Sequence, residues 1–219
     1  MEHPIIAILG GTGKEGTGLA LRWAAADYPV VIGSREMEKA NQAAANINLL
    51  LGIKTVRGMK NADAAKVADL CVLTVIQTAH DEALDSLKGV LDGKILVDAT
   101  SRVDYRDPKP PSPPSAGQLA QEILGPSVRV VAAFQNVPAK LLSKGIGQPL
   151  DADVLVCSDD LEAAQQVIRL AAAVGMRGYY AGGLANASVV EGITSILISM
   201  NKHYGVKDAS IKVAGIPGT

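Results

Sequence analysis

A glycine-rich turn placed directly after an apolar run constrains the fold of this chain more than any other feature. Residues 5–9 are apolar, and the turn that follows contains Gly11, Gly13 and Gly16 in the spacing G-x-G-x-x-G. In such a turn the first glycine permits the tight bend, the second lets backbone amides approach a pyrophosphate, and the third lets helix and strand pack closely. The following helix would point its N-terminus at those phosphates. The pattern therefore predicts a βαβ unit that binds a dinucleotide.

Apolar strand-like runs alternate with helix-period segments along the rest of the chain. Strands are predicted over residues 4–9, 29–32, 54–57, 70–75, 94–97, 128–132, 154–157 and 177–180. Helices are predicted over residues 14–26, 36–51, 61–67, 80–91, 116–124, 161–174 and 187–204. Near-continuous apolar strands in βα alternation are typical of a parallel sheet covered on both faces. We expect an α/β fold: a Rossmann-type doubly wound parallel sheet with a small C-terminal α/β extension ending in a long helix.

The end of the second predicted strand indicates which dinucleotide is bound. A site for NAD usually ends this strand with Asp or Glu, which binds the ribose 2′-hydroxyl. Here the strand ends in Gly33, Ser34 and Arg35, so no acid stands at that point. Ser34 offers a hydroxyl and Arg35 a guanidinium fork, which together suit a 2′-phosphate. Because Lys39 lies one helical turn beyond Arg35, both charges can reach one phosphate, and we predict a site for NADP(H).

Several local signals predict structural roles. Asn61 is expected to be the N-cap of the third helix, and Asp159 followed by Glu162 resembles a capping box for the helix near residue 161. The two cysteines, Cys71 and Cys157, lie in apolar runs and are expected to be buried, reduced thiols. Five prolines between residues 107 and 115 predict an extended surface loop.

The composition excludes several classes of partner. Lys and Arg number 21 against 22 Asp and Glu, a net charge of −1, so there is no basic excess to hold a nucleic acid. No apolar segment approaches the ~20 residues that a membrane span needs, and no charged leader precedes the first strand. Three histidines and two cysteines at unsuitable spacing predict no metal site. We expect a soluble cytoplasmic protein.

The sequence offers no convincing acid–base set. Tyr105 and Lys109 have the Y-x-x-x-K spacing of a short-chain dehydrogenase dyad, but Pro108 and Pro110 forbid the helix that the dyad needs. His80 follows the fourth strand, and its side chain is expected either to face solvent or to contact a cofactor. Reduction of a ketone generally needs a proton donor, whereas hydride exchange between two bound cofactors needs mainly alignment of two rings and exclusion of water. No catalytic side chain is therefore assigned.

The chain resembles, over nearly its whole length, the NADPH-dependent reductases of coenzyme F420, a deazaflavin. The matching runs are residues 9–13, 33–35 with Lys39, 58–61, 72–74, 130–134, 153–156, 180–182, 196–201 and 211–213. The resemblance implies direct hydride transfer between C4 of the nicotinamide and C5 of the deazaflavin, and a homodimer. It also implies that residues 1–145 form the NADP-binding Rossmann domain. Residues 146–219 would form a small extension that completes the second-cofactor cleft and makes a dimer contact.

The resemblance also implies which residues bind the two cofactors. Thr12 and the turn amides would bind phosphates, Ser34, Arg35 and Lys39 the 2′-phosphate, and backbone around Val137 and Ala139 the two rings. The full predicted set is Gly11, Thr12, Gly13, Lys14, Glu15, Gly16, Ser34, Arg35, Lys39, Thr74, Val75, Gln77, Ser101, Gln135, Asn136, Val137 and Ala139. The family commonly has His where this chain has Gln135, and some members carry an aromatic and acidic stretch where this chain has residues 76–79.

Two other interpretations are open. The chain could be an NADPH-dependent reductase of a small imine or carbonyl compound on the same scaffold. The related β-hydroxyacid dehydrogenases carry a catalytic lysine on a large helical domain, but here only one long helix and a tail follow residue 180, and the nearest candidate, Lys202, is expected to be a solvated helix-end charge. The chain could also be a non-catalytic NADP(H)-responsive binding module.

Overall fold

The computed structural model describes residues 3–216 and contains a six-stranded parallel sheet. Its strands are β1 (Ile6–Leu9), β2 (Val30–Ser34), β3 (Arg57–Lys60), β4 (Leu70–Leu73), β5 (Ile95–Asp98) and β6 (Arg129–Ala132), in the order β3-β2-β1-β4-β5-β6. The helices between them are α1 (Lys14–Ala25), α2 (Met37–Leu51), α3 (Asn61–Val67), α4 (His80–Asp85) and α5 (Ala116–Leu124). This is the predicted Rossmann-type doubly wound sheet, so the fold class is confirmed.

The sheet is parallel because its central strands are apolar on both faces. Along β1, Ile6 and Ile8 belong to one hydrophobic cluster, whereas Ala7 and Leu9 belong to the other. Successive side chains of a strand point to opposite faces, so both faces of the sheet are buried. The carboxyl ends of β1, β4 and β5 meet at one edge beside the point where the strand order reverses. In such sheets, this is the edge at which ligands bind.

The C-terminal part of the chain adds a second, smaller sheet. Strands β7 (Asp153–Val156) and β8 (Arg177–Tyr180) pair in parallel, and α6 (Ala139–Leu142) precedes them. Helix α7 (Leu161–Ala173) connects the two strands, and the long α8 (Ala187–Tyr204) follows. A single antiparallel bridge between Ala132 and Cys157 joins the end of β6 to the end of β7. The cluster around Trp23 also includes Val154 and Ala163, so one hydrophobic core extends across residue 145.

A buried arginine connects α1 to this C-terminal part. Arg22 is 3% exposed, and its guanidinium donates only to backbone carbonyls. Its Nε donates to Leu142 O at 2.8 Å, and its Nη1 donates to Val174 O at 3.1 Å and Gln148 O at 3.2 Å. Its Nη2 donates to the carbonyls of Lys144 and Gly145. One side chain therefore fixes the segment that follows α6 against the first helix of the nucleotide-binding fold.

Two predicted helix caps are wrong. Asn61 is the first residue of α3, not its N-cap, because its side-chain oxygen accepts instead from the N–H of Gly10 at 3.1 Å. The N-cap of α7 is Asp160, whose carboxylate accepts from Ala163 N, whereas Asp159 accepts from Leu184 N. In both places a tertiary contact uses the polar side chain that the local pattern assigned to a helix end.

Other local predictions are confirmed, although the boundaries of some helices and strands are shifted. The helix predicted over residues 80–91 ends at Asp85 and continues as turns, and the strand predicted over 54–57 lies at Arg57–Lys60. The proline-rich segment 107–115 contains no helix or strand, and both cysteines are buried free thiols. Among the helices of residues 3–216, none is long and apolar enough to cross a membrane.

Candidate functional site

The glycine turn joins β1 to α1 and is held together by backbone contacts. Gly10 has a φ of +67°, a left-handed conformation that favours glycine. A Cβ on Gly16 would lie 2.5 Å from Gly11 Cα, and a Cβ on Gly11 would lie 2.6 Å from Ile8 O. A Cβ on Gly13, in contrast, would meet nothing within 4 Å. Two glycines are therefore needed for packing, and the third leaves open space above the helix N-terminus.

That open space is lined by free amides. Gly10 N donates to Asn61 Oδ1, and Gly11 N donates to Gly33 O at 3.0 Å. Within the described chain, the N–H groups of Thr12 and Gly13 have no acceptor. The first amides of α1 also lack intrahelical partners, as at every helix N-terminus. Together with the positive end of the helix dipole, these amides can bind a phosphate.

The carboxyl end of β2 places a hydroxyl and two cations beside this turn. Ser34 is buried, and its Oγ accepts from Glu36 N at 3.2 Å, which leaves its own proton free to donate. Arg35 Nη1 lies 3.9 Å from Glu82 Oε2, and Lys39 Nζ lies 2.5 Å from Glu36 Oε1. All four side chains are mostly exposed. Such exposed pairs contribute little stability. Both cations are therefore available to an incoming dianion.

A cleft of about 980 Å³ opens at the carboxyl edge of the sheet. Its walls come from the start of α1, the loops after β4, β5 and β6, helix α8 and the tail that follows it. Eleven of the seventeen predicted site residues line it, namely Gly13, Lys14, Glu15, Thr74, Val75, Gln77, Ser101, Gln135, Asn136, Val137 and Ala139. The structure thus brings together residues that lie more than 120 positions apart in the sequence.

The other predicted residues lie at the opposite end of the turn. Thr12 and Lys39 line a neighbouring groove of about 940 Å³ between α1 and α2. Lys14 and Ala139 line both the groove and the cleft, so the two spaces adjoin. Gly11 and Gly16 form the turn itself, and Ser34 and Arg35 end the second strand.

Two residues that line the cleft each carry a buried polar atom that has no hydrogen-bond partner within residues 3–216. The two atoms are Gln135 Oε1 and Ser101 Oγ. Gln135 is only 6% exposed, and its Nε2 donates to Asp98 O at 2.9 Å, which fixes the orientation of the amide. Buried polar groups without partners are costly, and native proteins satisfy nearly all of them. Because both residues line the cleft, their side chains are candidates for polar contacts with a ligand there.

The segment that carries Gln135 is held in a strained conformation. Phe134 has a φ of +75°, which is unusual for a bulky residue, and its ring is fully buried in edge contact with Trp23 at 5.8 Å between ring centroids. Asn136 donates to Asp153 O at 2.7 Å and accepts from Leu155 N. The Asn136 side chain is thus used to bind β7.

Sequence reasoning missed a buried ion pair beneath the cleft. His80 is 3% exposed, and its Nε2 lies 2.7 Å from Asp98 Oδ2, so the expectation that it faces solvent is wrong. Burial lowers the pKa of His80, but hydrogen bonds and charges from Asp98 and Asp81 outweigh burial and raise it to about 9. Asp98 also accepts from Thr100 N, and the pair therefore fixes the loop after β5. The two residues are 18 positions apart, and only the parallel pairing of β4 and β5 indicates their proximity.

Two carboxyl groups near the cleft have altered acidity. Burial and the charge of Asp98 raise the pKa of Glu15 to about 8. Burial also raises the pKa of Glu191 to about 7, although backbone amides of Ala116 and Arg102 donate to it. Within residues 3–216 there is no group of three or more His, Cys, Asp or Glu side chains that could hold a metal ion.

Three residues whose catalytic role the sequence argues against, Tyr105, Lys109 and Lys202, lie where the sequence predicts. Tyr105 and Lys109 are in a segment without helix, and Lys109 pairs with Asp107. Lys202 is near the end of α8 and donates to the backbone carbonyl of Arg106. Neither lysine lines the cleft.

Comparison with known proteins agrees with this geometry. The sequence model of a family described as "NADP oxidoreductase coenzyme F420-dependent" matches residues 5–102. The F420-dependent NADP reductase of Methanothermobacter thermautotrophicus is 38% identical, over 97% of this chain and 95% of that protein. Its counterpart in Methanothermobacter marburgensis is 39% identical, over 97% of this chain and 99% of that protein. A solved structure from Arthrobacter sp. FB24, named as a candidate F420-dependent NADP-reductase, is 27% identical, with a TM-score of 0.79 over 97% of this chain and 100% of that one.

Proposed function

The chain belongs to the family of coenzyme F420-dependent NADP oxidoreductases, and we propose that it transfers a hydride between NADP(H) and the deazaflavin F420. The observation that carries the proposal is that the phosphate-binding turn and the cleft adjoin. The turn at Gly13 opens directly into a cleft lined by two residues whose buried polar atoms, Gln135 Oε1 and Ser101 Oγ, have no partner within residues 3–216. When both cofactors are bound, the hydride passes directly between C4 of the nicotinamide and C5 of the deazaflavin.

The protein residues bind and orient the cofactors in this proposal. The amides of Thr12 and Gly13 bind the pyrophosphate, and Ser34, Arg35 and Lys39 bind the 2′-phosphate. These contacts fix the adenosine end of the dinucleotide and so direct its nicotinamide end into the cleft. Charge-assisted contacts of this kind contribute about 1.5–3 kcal/mol each.

The remaining cleft residues align the rings. Val75 and Val137 contribute apolar surface that excludes water, while Gln135 and Ser101 offer polar groups to ring substituents. Alignment of two reacting carbons and exclusion of water together account for a large part of the barrier reduction in reactions of bound cofactors. No side chain of the cleft is assigned a covalent role.

The proposal is tested by mixing the purified protein with NADPH and oxidised F420 and following the loss of the deazaflavin absorbance. We expect turnover that requires both cofactors and that is much weaker with NADH. Reduction of a simple imine without reduction of F420 would favour a small-molecule reductase instead. Binding of NADPH without turnover of either compound would favour a binding module.

We also propose that residues 1–145 form the NADP-binding domain and that residues 146–219 complete the second-cofactor cleft. Support comes from the cleft wall, which includes Thr194, Leu197 and Ile198 of helix α8 and Lys207 of the tail. Arg22 and the shared hydrophobic core hold the two parts together. We further propose the cytoplasm as the location, supported by two free, buried cysteines of the kind common in reducing compartments.

A homodimer is the assembly that we propose, with α8 at its interface. Val189, Ile196, Met200 and Tyr204 are exposed apolar residues on this helix, spaced by seven, four and four positions. That spacing places them along one face. An exposed apolar stripe of this length is typical of an association surface. Sedimentation equilibrium should give twice the monomer mass for the wild type and a monomer for Ile196→Glu; a monomeric wild type would refute the proposal.

A further inference from the structure

One carboxyl group among the predicted cofactor-binding residues of the cleft takes no part in the proposed phosphate and ring contacts. Glu15 lies in the first turn of α1, is half-buried, and lines the cleft together with Thr74, Val75 and the segment from Gln135 to Ala139. Within residues 3–216 its side chain forms no ion pair and no hydrogen bond. An ionisable group that is neither paired nor fully solvated responds strongly to any charge placed beside it.

The surroundings of Glu15 disfavour its ionised form. Burial raises its pKa to about 8, and the charge of the fully buried Asp98 adds to the effect. The pKa of Tyr105 is also raised, mainly by burial and to a smaller extent by the charge of Glu15. The titratable and charged groups that line the cleft with Glu15 are Lys14, Asp104, Tyr105, Arg106, Lys140 and Lys207, and the charges of Asp98 and Tyr105 interact with it. Of the two cations on its own helix, Lys14 is exposed and screened by water, and the buried Arg22 donates to the backbone carbonyls of Leu142 and Val174.

The two redox forms of the nicotinamide differ in charge. The oxidised ring carries one positive charge, and the reduced ring carries none. The phosphates of the dinucleotide are the same in both forms, so their interactions with the glycine turn, Arg35 and Lys39 cancel in a comparison of the two affinities. A group close to the ring is the one that distinguishes the two forms by charge.

We infer that Glu15 is a charge sensor that sets the relative affinity of this site for NADP⁺ and NADPH. The inference rests on the proposed function in one respect only, namely that the nicotinamide occupies the cleft. When the Glu15 carboxyl is ionised, it attracts the oxidised ring and has no comparable attraction for the reduced one. When it is protonated, this preference is lost. The ionisation state of one side chain thus shifts the balance between oxidised and reduced cofactor on the protein.

The sign of the pH dependence follows from linkage. The positive ring lowers the pKa of Glu15 in the NADP⁺ complex, whereas the neutral ring leaves it raised in the NADPH complex. At pH below both values the carboxyl is protonated in each complex, and the ratio Kd(NADP⁺)/Kd(NADPH) is constant. As the pH rises through the lower value, NADP⁺ gains affinity and the ratio falls. It levels off above the pKa of the NADPH complex.

The test measures this ratio by equilibrium titration from about pH 6 to about pH 9.5 for the wild type, Glu15→Gln and Glu122→Gln. Glu122 is an exposed carboxylate on α5, so its variant changes the net charge equally but leaves the cleft intact. An opposite charge nearby shifts a carboxyl pKa by about one unit or more. We therefore expect the ratio to fall about tenfold or more with pH in the wild type and in Glu122→Gln, and to stay constant in Glu15→Gln. A pH-dependent ratio in Glu15→Gln, or a constant ratio in the wild type, would overturn the inference.

A second measurement needs no variant. Calorimetric titration of the wild type in two buffers of different ionisation enthalpy, near pH 8, gives the number of protons released on binding. We expect NADP⁺ to release more protons than NADPH, and equal release would contradict the role of Glu15. Failure of the proposed function is distinguished by the turnover assay with NADPH and F420, because the affinity ratio and the proton release depend on nucleotide binding alone.

Discussion

Gly13 and Gly16 belong to one motif, but the structure predicts opposite consequences when each is changed to alanine. A Cβ on Gly16 would lie 2.5 Å from Gly11 Cα and 2.7 Å from Thr74 Oγ1, so backbone would have to move. Overpacking of this kind costs about 1–3 kcal/mol. For a chain of this length that cost lowers Tm by about 2–12 °C.

Gly13→Ala should behave differently, because a Cβ there meets no atom within 4 Å. Gly13 is the N-cap of α1 with a φ of −78°, which alanine also adopts, so we expect a loss of at most about 1 kcal/mol in stability. The added methyl would instead occupy the space into which the pyrophosphate must enter. Loss of one phosphate contact, about 1.5–3 kcal/mol, weakens NADPH binding by about 10- to 150-fold.

The assay pairs thermal unfolding in the absence of cofactor with the Kd for NADPH measured by calorimetry. Gly13→Ala should unfold near the wild-type Tm and bind NADPH poorly, while Gly16→Ala should unfold at a clearly lower temperature. Wild-type affinity in Gly13→Ala would show that the pyrophosphate does not lie over this residue. An unchanged Tm in Gly16→Ala would refute the packing argument.

Three further changes test other parts of the structure. Arg35→Ala should raise KM for NADPH by about tenfold or more but leave KM for NADH nearly unchanged, since only NADPH carries the 2′-phosphate; equal effects on both would remove Arg35 from that site. The free energy of unfolding in urea should decrease between about pH 6.5 and pH 9, because the pKa of His80 is raised in the folded protein. The stabilisation from His80 is therefore complete below its unfolded pKa and is lost as the pH rises through its folded pKa. Glu191, with a pKa raised to about 7, acts in the same direction at lower pH. His80→Gln should flatten the upper part of this profile, and an unchanged slope would contradict the ion pair with Asp98. Arg22→Met should lower the free energy of unfolding by about 3 kcal/mol, since several buried carbonyls lose their donor, whereas a loss under about 1 kcal/mol would show that water replaces the guanidinium.

The geometry of the glycine turn and of the end of β2 could be predicted because it depends on residues close together in the sequence. Gly11, Gly13 and Gly16 each have a local geometric reason, and their context after an apolar strand fixes their place. The parallel, doubly wound sheet follows from the same kind of local pattern, namely apolar strands that alternate with helices.

The floor of the cleft could not be predicted in the same way. The contact between His80 and Asp98 and that between Gln135 and the Asp98 carbonyl depend on how β4, β5 and β6 pair. The local pattern favours a helix cap at Asn61, but the turn at Gly10 lies close enough in space for Gly10 N to donate to its side chain. Polar side chains with several local options are placed by tertiary contacts, and a single sequence does not contain those distances.

The central claim, direct transfer between two bound cofactors, is tested most directly by isotope labelling. NADPH deuterated at C4 in either the R or the S position is incubated with the protein and oxidised F420, and the products are analysed by mass spectrometry. We predict that one of the two labelled forms delivers its deuterium to the reduced deazaflavin, while the other retains its deuterium in NADP⁺. Appearance of the label in water, or its retention in NADP⁺ from both forms, would contradict direct transfer.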